Sequence, residues 1–103
     1  MSVLSNDWRE HCTPFQRKVY EALLKIPRGQ VRTYGEIARA IGRPRAARAV
    51  GQALKHNRWA PAIPCHRVVA IGGRLGGYSA RGGLARKRRL LEREGTVLLH
   101  FNG

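Results

Sequence analysis

The sequence predicts a mostly helical α+β domain, winged-helix-like, built around a helix-turn-helix with a small β-hairpin. Two Thr-x-x-Gln/Glu capping boxes, at Thr13 and Thr33, each open a stretch of apolar residues at helical spacing. A third helical stretch with a basic outer face follows the second box after a short turn. A β-branched run, Val68-Val69-Ala70-Ile71, then meets Gly72-Gly73, the signature of a tight hairpin returning through Arg74-Leu75. With 103 residues and 43% hydrophobic content, one modest core and one domain are expected. Residues 1–12 read as an N-terminal extension and 13–103 as the folded unit. No internal repeat or low-complexity tract interrupts the chain.

Taken in order, Thr13-Pro14-Phe15-Gln16 starts the first helix, with Thr13 capping free amides and Pro14 suited to the first turn. Phe15, Val19, Ala22, Leu23 and Ile26 share one face, so the helix is expected to run to about Ile26 and to end at Pro27-Arg28-Gly29. Thr33-Tyr34-Gly35-Glu36 opens the second helix, which turns Ile37, Ala38 and Ile41 inward and stops at Gly42. After about three turn residues Pro44 begins the third helix. There Ala47, Val50, Gly51 and Leu54 face inward while Arg45, Arg48, Gln52 and Lys55 face outward. Its small residues permit close approach either to its partner helix or to a nucleic-acid backbone. Trp59 to Pro64 is a rigid apolar segment that delivers Cys65-His66 to the β-branched run. A glycine-rich loop, Gly76 to Gly83, leads into a last helix carrying Leu84, Leu90 and Leu91 and ended by Gly95, and Thr96 to Phe101 reads as extended.

The formal net charge is +14 with only six acidic residues. Most of the basic residues are arginines, whose planar guanidinium suits phosphates and bases, so nucleic acid is the expected partner. Nothing approaches the roughly 20 apolar residues of a membrane span, and no broad apolar stripe lies opposite the basic residues. The polar stretch Met1 to Glu10 has no secretory core segment, which predicts a cytoplasmic chain, nucleoid-associated in a prokaryote. A monomer is expected. Reduced thiols follow, disfavouring a Cys12–Cys65 bridge. Adjacent His11-Cys12 and Cys65-His66 are poor chelating pairs, so no metal site is expected.

The chemistry concentrates at Pro64-Cys65-His66-Arg67. A cysteine is a strong nucleophile when ionised, and neighbouring imidazole or guanidinium groups favour the thiolate. Read alone, Cys-His also fits a buried structural cysteine.

The run Pro64-Cys65-His66-Arg67-Val68-Val69 resembles the active-site signature of the methylated-DNA-protein-cysteine methyltransferases, the alkylguanine-DNA alkyltransferase family. The similarity extends over about residues 13 to 95. It includes Thr33-Tyr34-Gly35, Pro44-Arg45-Ala46-Ala47-Arg48-Ala49-Val50-Gly51, Asn57, Gly77-Tyr78-Ser79 and Leu90-Leu91-Glu92-Arg93-Glu94-Gly95. The resemblance implies that Cys65 accepts an alkyl group from the O6 position of a flipped-out guanine, once per molecule and without a cofactor. It further implies that His66 draws off the thiol proton through a water and that Glu94 orients His66. Double-stranded DNA containing alkylated guanine is then the partner. Arg48 would fill the stack vacated by the lesion, Tyr34 would help rotate the nucleotide and Asn57 would join recognition helix to active-site segment; Arg45 and Lys55, nearer the helix ends, are expected by position to meet DNA phosphates. Pro64, Tyr78 and Ser79 would line the lesion pocket. Arg67, often a buried structural arginine in such settings, is left unassigned.

Three departures stand out. The family usually carries a further N-terminal domain, Ala80-Arg81 interrupts the Tyr78-Ser79 to Gly82-Gly83 run, and Arg43 occupies the expected cap position before Pro44. A second class of function is a non-catalytic lesion binder, similar to the alkyltransferase-like proteins, which flags alkylated guanine for other repair pathways. Those proteins usually replace the acceptor cysteine, whereas this chain retains Cys65.

Overall fold

The computed structural model describes residues 6–70 and 83–96. A 3-10 turn, Asn6–His11, precedes helix α1, Pro14–Leu24. Strand β1, Arg32–Thr33, runs straight into α2, Tyr34–Ala40, and α3 spans Ala47–Lys55. A second 3-10 turn, Cys65–Arg67, continues into β2, Val68–Val69, and α4 covers Gly83–Arg93.

Both capping boxes form as read. Thr13 Oγ1 accepts from the Gln16 amide at 3.1 Å and the Gln16 side chain accepts from the Thr13 amide at 3.0 Å. Thr33 and Glu36 make the same reciprocal pair at 3.1 and 2.8 Å. Gly42, at φ +77°, closes α2: its amide donates to Arg39 and the Arg43 amide donates to Ala38. That is the glycine-dependent helix ending in which a left-handed residue satisfies the last carbonyls.

The third helix starts later than its sequence signals indicate. Pro44 and Arg45 lie in a turn closed by the Ala46 amide donating to Arg43 at 2.9 Å, and Ala46 is the N-cap, with no side-chain cap bond. Arg43 is therefore not a cap. Proline keeps the residue before it out of the helical region, and the turn absorbs that restriction before α3 begins. The faces of α3 are as expected, with Val50 and Ala53 buried and Arg48, Gln52 and Lys55 exposed. Helices α2 and α3 pack closely as the helix-turn-helix.

Val68 and Val69 are extended, but their described partner is β1 rather than a hairpin return. The two strands pair in parallel, Arg32 opposite Val68 and Thr33 opposite Val69. Two residues are too few to show a strand period, which is why β1 was not legible in the sequence. The Gly72-Gly73 turn, Arg74-Leu75, most of the glycine-rich loop and the extended tail from residue 97 lie outside the described residues.

The core joins Val19, Leu23, Ile26, Ile37, Ala38, Val50, Ile63 and Val68. It also contains Trp8, 3% exposed, from the segment ahead of α1. Trp8, Tyr20 and Trp59 form a tilted aromatic triangle with centroids 6.0 to 6.3 Å apart. The Tyr20 hydroxyl donates to the Ala53 carbonyl at 2.6 Å, so a buried polar tip is satisfied while α1 is tied to α3. Truncating Trp8 to alanine removes the apex of the triangle and should cost about 3–5 kcal/mol by urea denaturation. An unchanged midpoint would show that the 3-10 segment contributes nothing to the fold.

Candidate active site

Pro64 precedes a single 3-10 turn that carries Cys65, His66 and Arg67, and the Val68 amide closes the turn by donating to the Cys65 carbonyl. Pro64, Cys65 and His66 are buried. Cys65, 6% exposed, is a free thiol, as is Cys12. Burial pushes the Cys65 thiol above its ordinary value; a hydrogen bond from Asn57 and the charge of Lys87 pull the other way without prevailing. The expectation that flanking groups would favour a resting thiolate is therefore corrected. Burial lowers the His66 pKa, against the pull of Glu94, so the imidazole is neutral. Arg67, meanwhile, is committed elsewhere.

Its guanidinium grips Glu94, with Nε donating to Oε1 at 2.9 Å and Nη2 to Oε2 at 2.8 Å, while Nη1 donates to the Ile26 carbonyl at 2.8 Å. Glu94 Oε2 also lies 3.0 Å from His66 Nε2. Burial alone would raise the Glu94 pKa, but the hydrogen bonds and charges of Arg67 and His66 outweigh it and hold the carboxyl at about 2. An ionised carboxylate only accepts, so His66 Nε2 must carry the proton and donate it. Nδ1 is then the basic nitrogen. It is buried and has no hydrogen-bond partner among the described residues.

Backbone geometry places Glu94. It caps α4, whose last turn ends when the Gly95 amide donates to Glu92 and the Thr96 amide to Leu91, with Gly95 at φ +81°. Gly29, at φ +91°, lies against this cap, where a Cβ would stand 3.0 Å from the Glu94 carbonyl oxygen.

Asn57 links α3 to the turn, since Nδ2 donates to the Ile63 carbonyl at 2.8 Å and Oδ1 accepts from the Trp59 amide at 2.9 Å. Tyr34, in the first turn of α2, packs on the core beside Gly51 of α3. Arg45, in the turn before α3, and Arg48, in its first turn, are exposed. The structure thus brings Cys65, His66, Glu94 and Asn57 together and leaves Arg45 and Arg48 exposed to solvent. Tyr78 and Ser79 lie outside the described residues.

Two residues of this site were missed in the sequence. Arg67 looked like a neighbour of the reactive pair and proves to be the clamp on Glu94. Lys87 is fully buried on α4, with Nζ donating to the Val68 carbonyl at 2.7 Å. Its signal was there, because Lys87, Leu91 and Glu94 fall on one helical face at i, i+4 and i+7.

With this geometry in view, residues 14–96 match the family described as the 6-O-methylguanine DNA methyltransferase, DNA binding domain. The chain belongs to that family. Over 82 residues it is 57% identical to the methylated-DNA-protein-cysteine methyltransferase of Mycobacterium bovis, a match covering 80% of this chain and 48% of that protein. Among solved structures, Mycobacterium tuberculosis OGT in complex with DNA superposes with a TM-score of 0.78 at 56% identity, covering 82% of this chain and 50% of that one. S. pombe Atl1 in complex with damaged DNA containing O6-carboxymethylguanine superposes with a TM-score of 0.71 at 46% identity, covering 79% of this chain and 75% of Atl1. The chain spans about half the length of the curated methyltransferases it matches. No helix of this DNA-binding domain, among the described residues, is long and apolar enough to cross a membrane.

The Glu94 clamp has a pH signature. Glu94 titrates at about 2 in the fold against an ordinary 4.5, so between those values the unfolded chain binds more protons. Its stabilisation is complete above pH 4.5 and is lost as pH falls toward 2. Glu94→Gln should lower stability at neutral pH by roughly 2 kcal/mol, and the difference from wild type should shrink in urea titrations as the pH drops through that window. A difference that stays constant down to the acid end would show that the carboxylate charge is not what Arg67 and His66 hold.

Proposed function

We propose that this chain repairs DNA by moving an alkyl group from O6 of a flipped-out guanine to Cys65 Sγ, with His66 as the base and Glu94 as its orienting acid. The observation that carries the reading is the buried His66 Nδ1, without a hydrogen-bond partner among the described residues, left basic by the Nε2 contact to an ionised Glu94 and one residue from a protonated thiol. A thiol that rests neutral needs a base at the moment of reaction. The Cys65 proton passes through a water to Nδ1, and sulfur attacks the alkyl carbon. The carbon–O6 bond breaks with its electron pair going to the guanine, which takes up a proton as it leaves. Thioether and guanine account for every atom, so the step needs no further reactant. Nothing in it restores the thiol, and each molecule reacts once.

Arg48, Tyr34, Arg45 and Asn57 serve recognition in this reading. Extruding a guanine costs roughly a few kcal/mol of stacking and pairing. The exposed Arg48 guanidinium is suited to occupy the gap and bond the orphaned base. Tyr34, which packs beside Gly51 of α3, helps rotate the nucleotide in this reading. Arg45 meets backbone phosphate. Pro64 walls the pocket, and Tyr78 and Ser79 complete it. Cytoplasmic, monomeric action on duplex DNA follows from the same reading. The likeness to Atl1, which spans three quarters of that chain, favours a second reading in which the domain binds the lesion without reacting.

Mixing the chain with a methylguanine duplex separates the two. Peptide mass mapping should find one methyl group on the Cys65 peptide and none on Cys12. Lesion-selective binding with unmodified Cys65 would establish the binder instead. Arg48→Ala should slow reaction with duplex at least tenfold while reaction with free alkylguanine base stays near wild type, about 1.4 kcal/mol of difference per factor of ten. Equal losses on both substrates would mean that Arg48 supports the fold.

A further inference from the structure

Trp59 organises residues 57–64, the stretch that delivers Cys65. Its amide donates to Asn57 Oδ1 at 2.9 Å and its carbonyl accepts from the Ile63 amide at 3.0 Å. The Ile63 carbonyl accepts in turn from Asn57 Nδ2 at 2.8 Å and from the Cys65 amide at 2.9 Å. Whatever fixes Trp59 therefore fixes the approach to Cys65. The Trp59 ring packs on Trp8 and Tyr20, with centroids 6.3 and 6.1 Å away, and tilted aromatic pairs set direction as well as distance. Trp8 stands in the 3-10 turn ahead of residues 14–96, outside the stretch that carries the family match. That turn is anchored. Arg9 Nε donates to Glu21 Oε2 at 3.2 Å, Arg17 Nη2 donates to the Arg9 carbonyl at 3.1 Å, and Cys12 Sγ donates to the Trp8 carbonyl at 3.2 Å.

We propose that Trp8 is a positioning residue for the transfer, acting through Trp59 to hold residues 57–64 on the path that keeps Cys65 buried and within reach of Asn57. The proposal rests on the reading of Cys65 as the reacting group. Trp8, Tyr20, Ile63 and Cys65 belong to one core, with Trp59 packed against it. Asn57 hydrogen-bonds Cys65 and Lys87 of α4 adds its charge, yet burial prevails and the thiol stays neutral. Tyr20, from α1, also feels the Cys65 charge and is itself held at about 12 by burial. A substitution at Trp8 leaves all of these side chains in place and removes only the brace. A slack link admits water to Cys65, which brings the thiol down toward its ordinary value and loses its alignment with the base. A residue that merely filled the core would change stability and leave the titration of Cys65 where it is.

Two alkyl donors read the effect separately. Iodoacetamide needs no guanine: sulfur bonds to the reagent carbon, iodide leaves, the thiol proton goes to solvent, and peptide mass mapping follows Cys65 alone. A methylguanine duplex reports the transfer. Trp8→Leu keeps an apolar side chain in the core but drops the ring contacts to Trp59 and Tyr20, whereas Trp8→Phe keeps a ring. In folded Trp8→Leu, Cys65 should react with iodoacetamide roughly tenfold faster near pH 7, the effect of one pKa unit on the thiolate fraction, with its pH midpoint shifted down. Transfer from the duplex should slow about tenfold. Trp8→Phe should return both rates toward wild type. Ile37→Ala, which opens a cavity in the same core from α2, should lower the urea midpoint and move neither rate. Trp59→Leu breaks the same contact from the half-buried side and serves the comparison should Trp8→Leu lose its helical circular dichroism. An unchanged Cys65 midpoint in the folded variant, or an equal shift in Ile37→Ala, would overturn the inference. A wild-type Cys65 that reacts with iodoacetamide but takes no methyl group from the duplex would instead sink the transferase reading, and the iodoacetamide shift would still assign the brace.

Discussion

The clamp of Arg67 on the Glu94 carboxylate is the interaction on which the rest of the site depends. It joins three pieces of chain distant in sequence: the cap of α4, the 3-10 turn after Pro64, and, through the Ile26 carbonyl, the end of α1. The carboxylate is 9% exposed, so the pair is largely desolvated and every acceptor position matters. A buried charge left without its partner costs far more than the intact pair gains, which makes the arrangement close to all-or-none. The backbone is shaped around it. Gly95 ends α4 at Glu94, and Gly29 leaves room for the cap's carbonyl where any side chain would crowd it.

The clamp also decides the protonation of the site. By keeping Glu94 ionised it fixes the His66 tautomer, and that tautomer leaves Nδ1 as the base. Burial does the complementary work on Cys65, keeping the thiol neutral and hence protected from indiscriminate electrophiles. The same turn holds His66 against Glu94 and meets the buried Lys87 of α4 at the Val68 carbonyl.

The helix-turn-helix and the Cys65 turn share a frame. β1 pairs with β2, so the strand that launches α2 is bonded to the strand that follows the reactive turn. Asn57 ties the exit of α3 to Ile63, two residues before Cys65. Tyr20 bonds α3 to α1 from inside the core. The helix-turn-helix is thereby joined to the Cys65 turn through packed elements instead of a flexible tether.

What the sequence determined by itself was local. The capping boxes at Thr13 and Thr33, the glycine stops at Gly42 and Gly95, the two faces of α3 and the Pro64-Cys65-His66-Arg67 signature all depend on interactions within a turn or two of chain, which is the range that residue spacing reports. The start of α3 was misjudged within that range, because Pro44 is equally at home in the turn that precedes it. The partnership of β1 with β2, the three-way grip of Arg67, the neutral state of Cys65 and the burial of Lys87 were decided only by the tertiary structure. Each is set by burial and by charges brought together across distant segments. A lysine among the basic residues of α4 reads as solvated until the turn it lies against closes the water out.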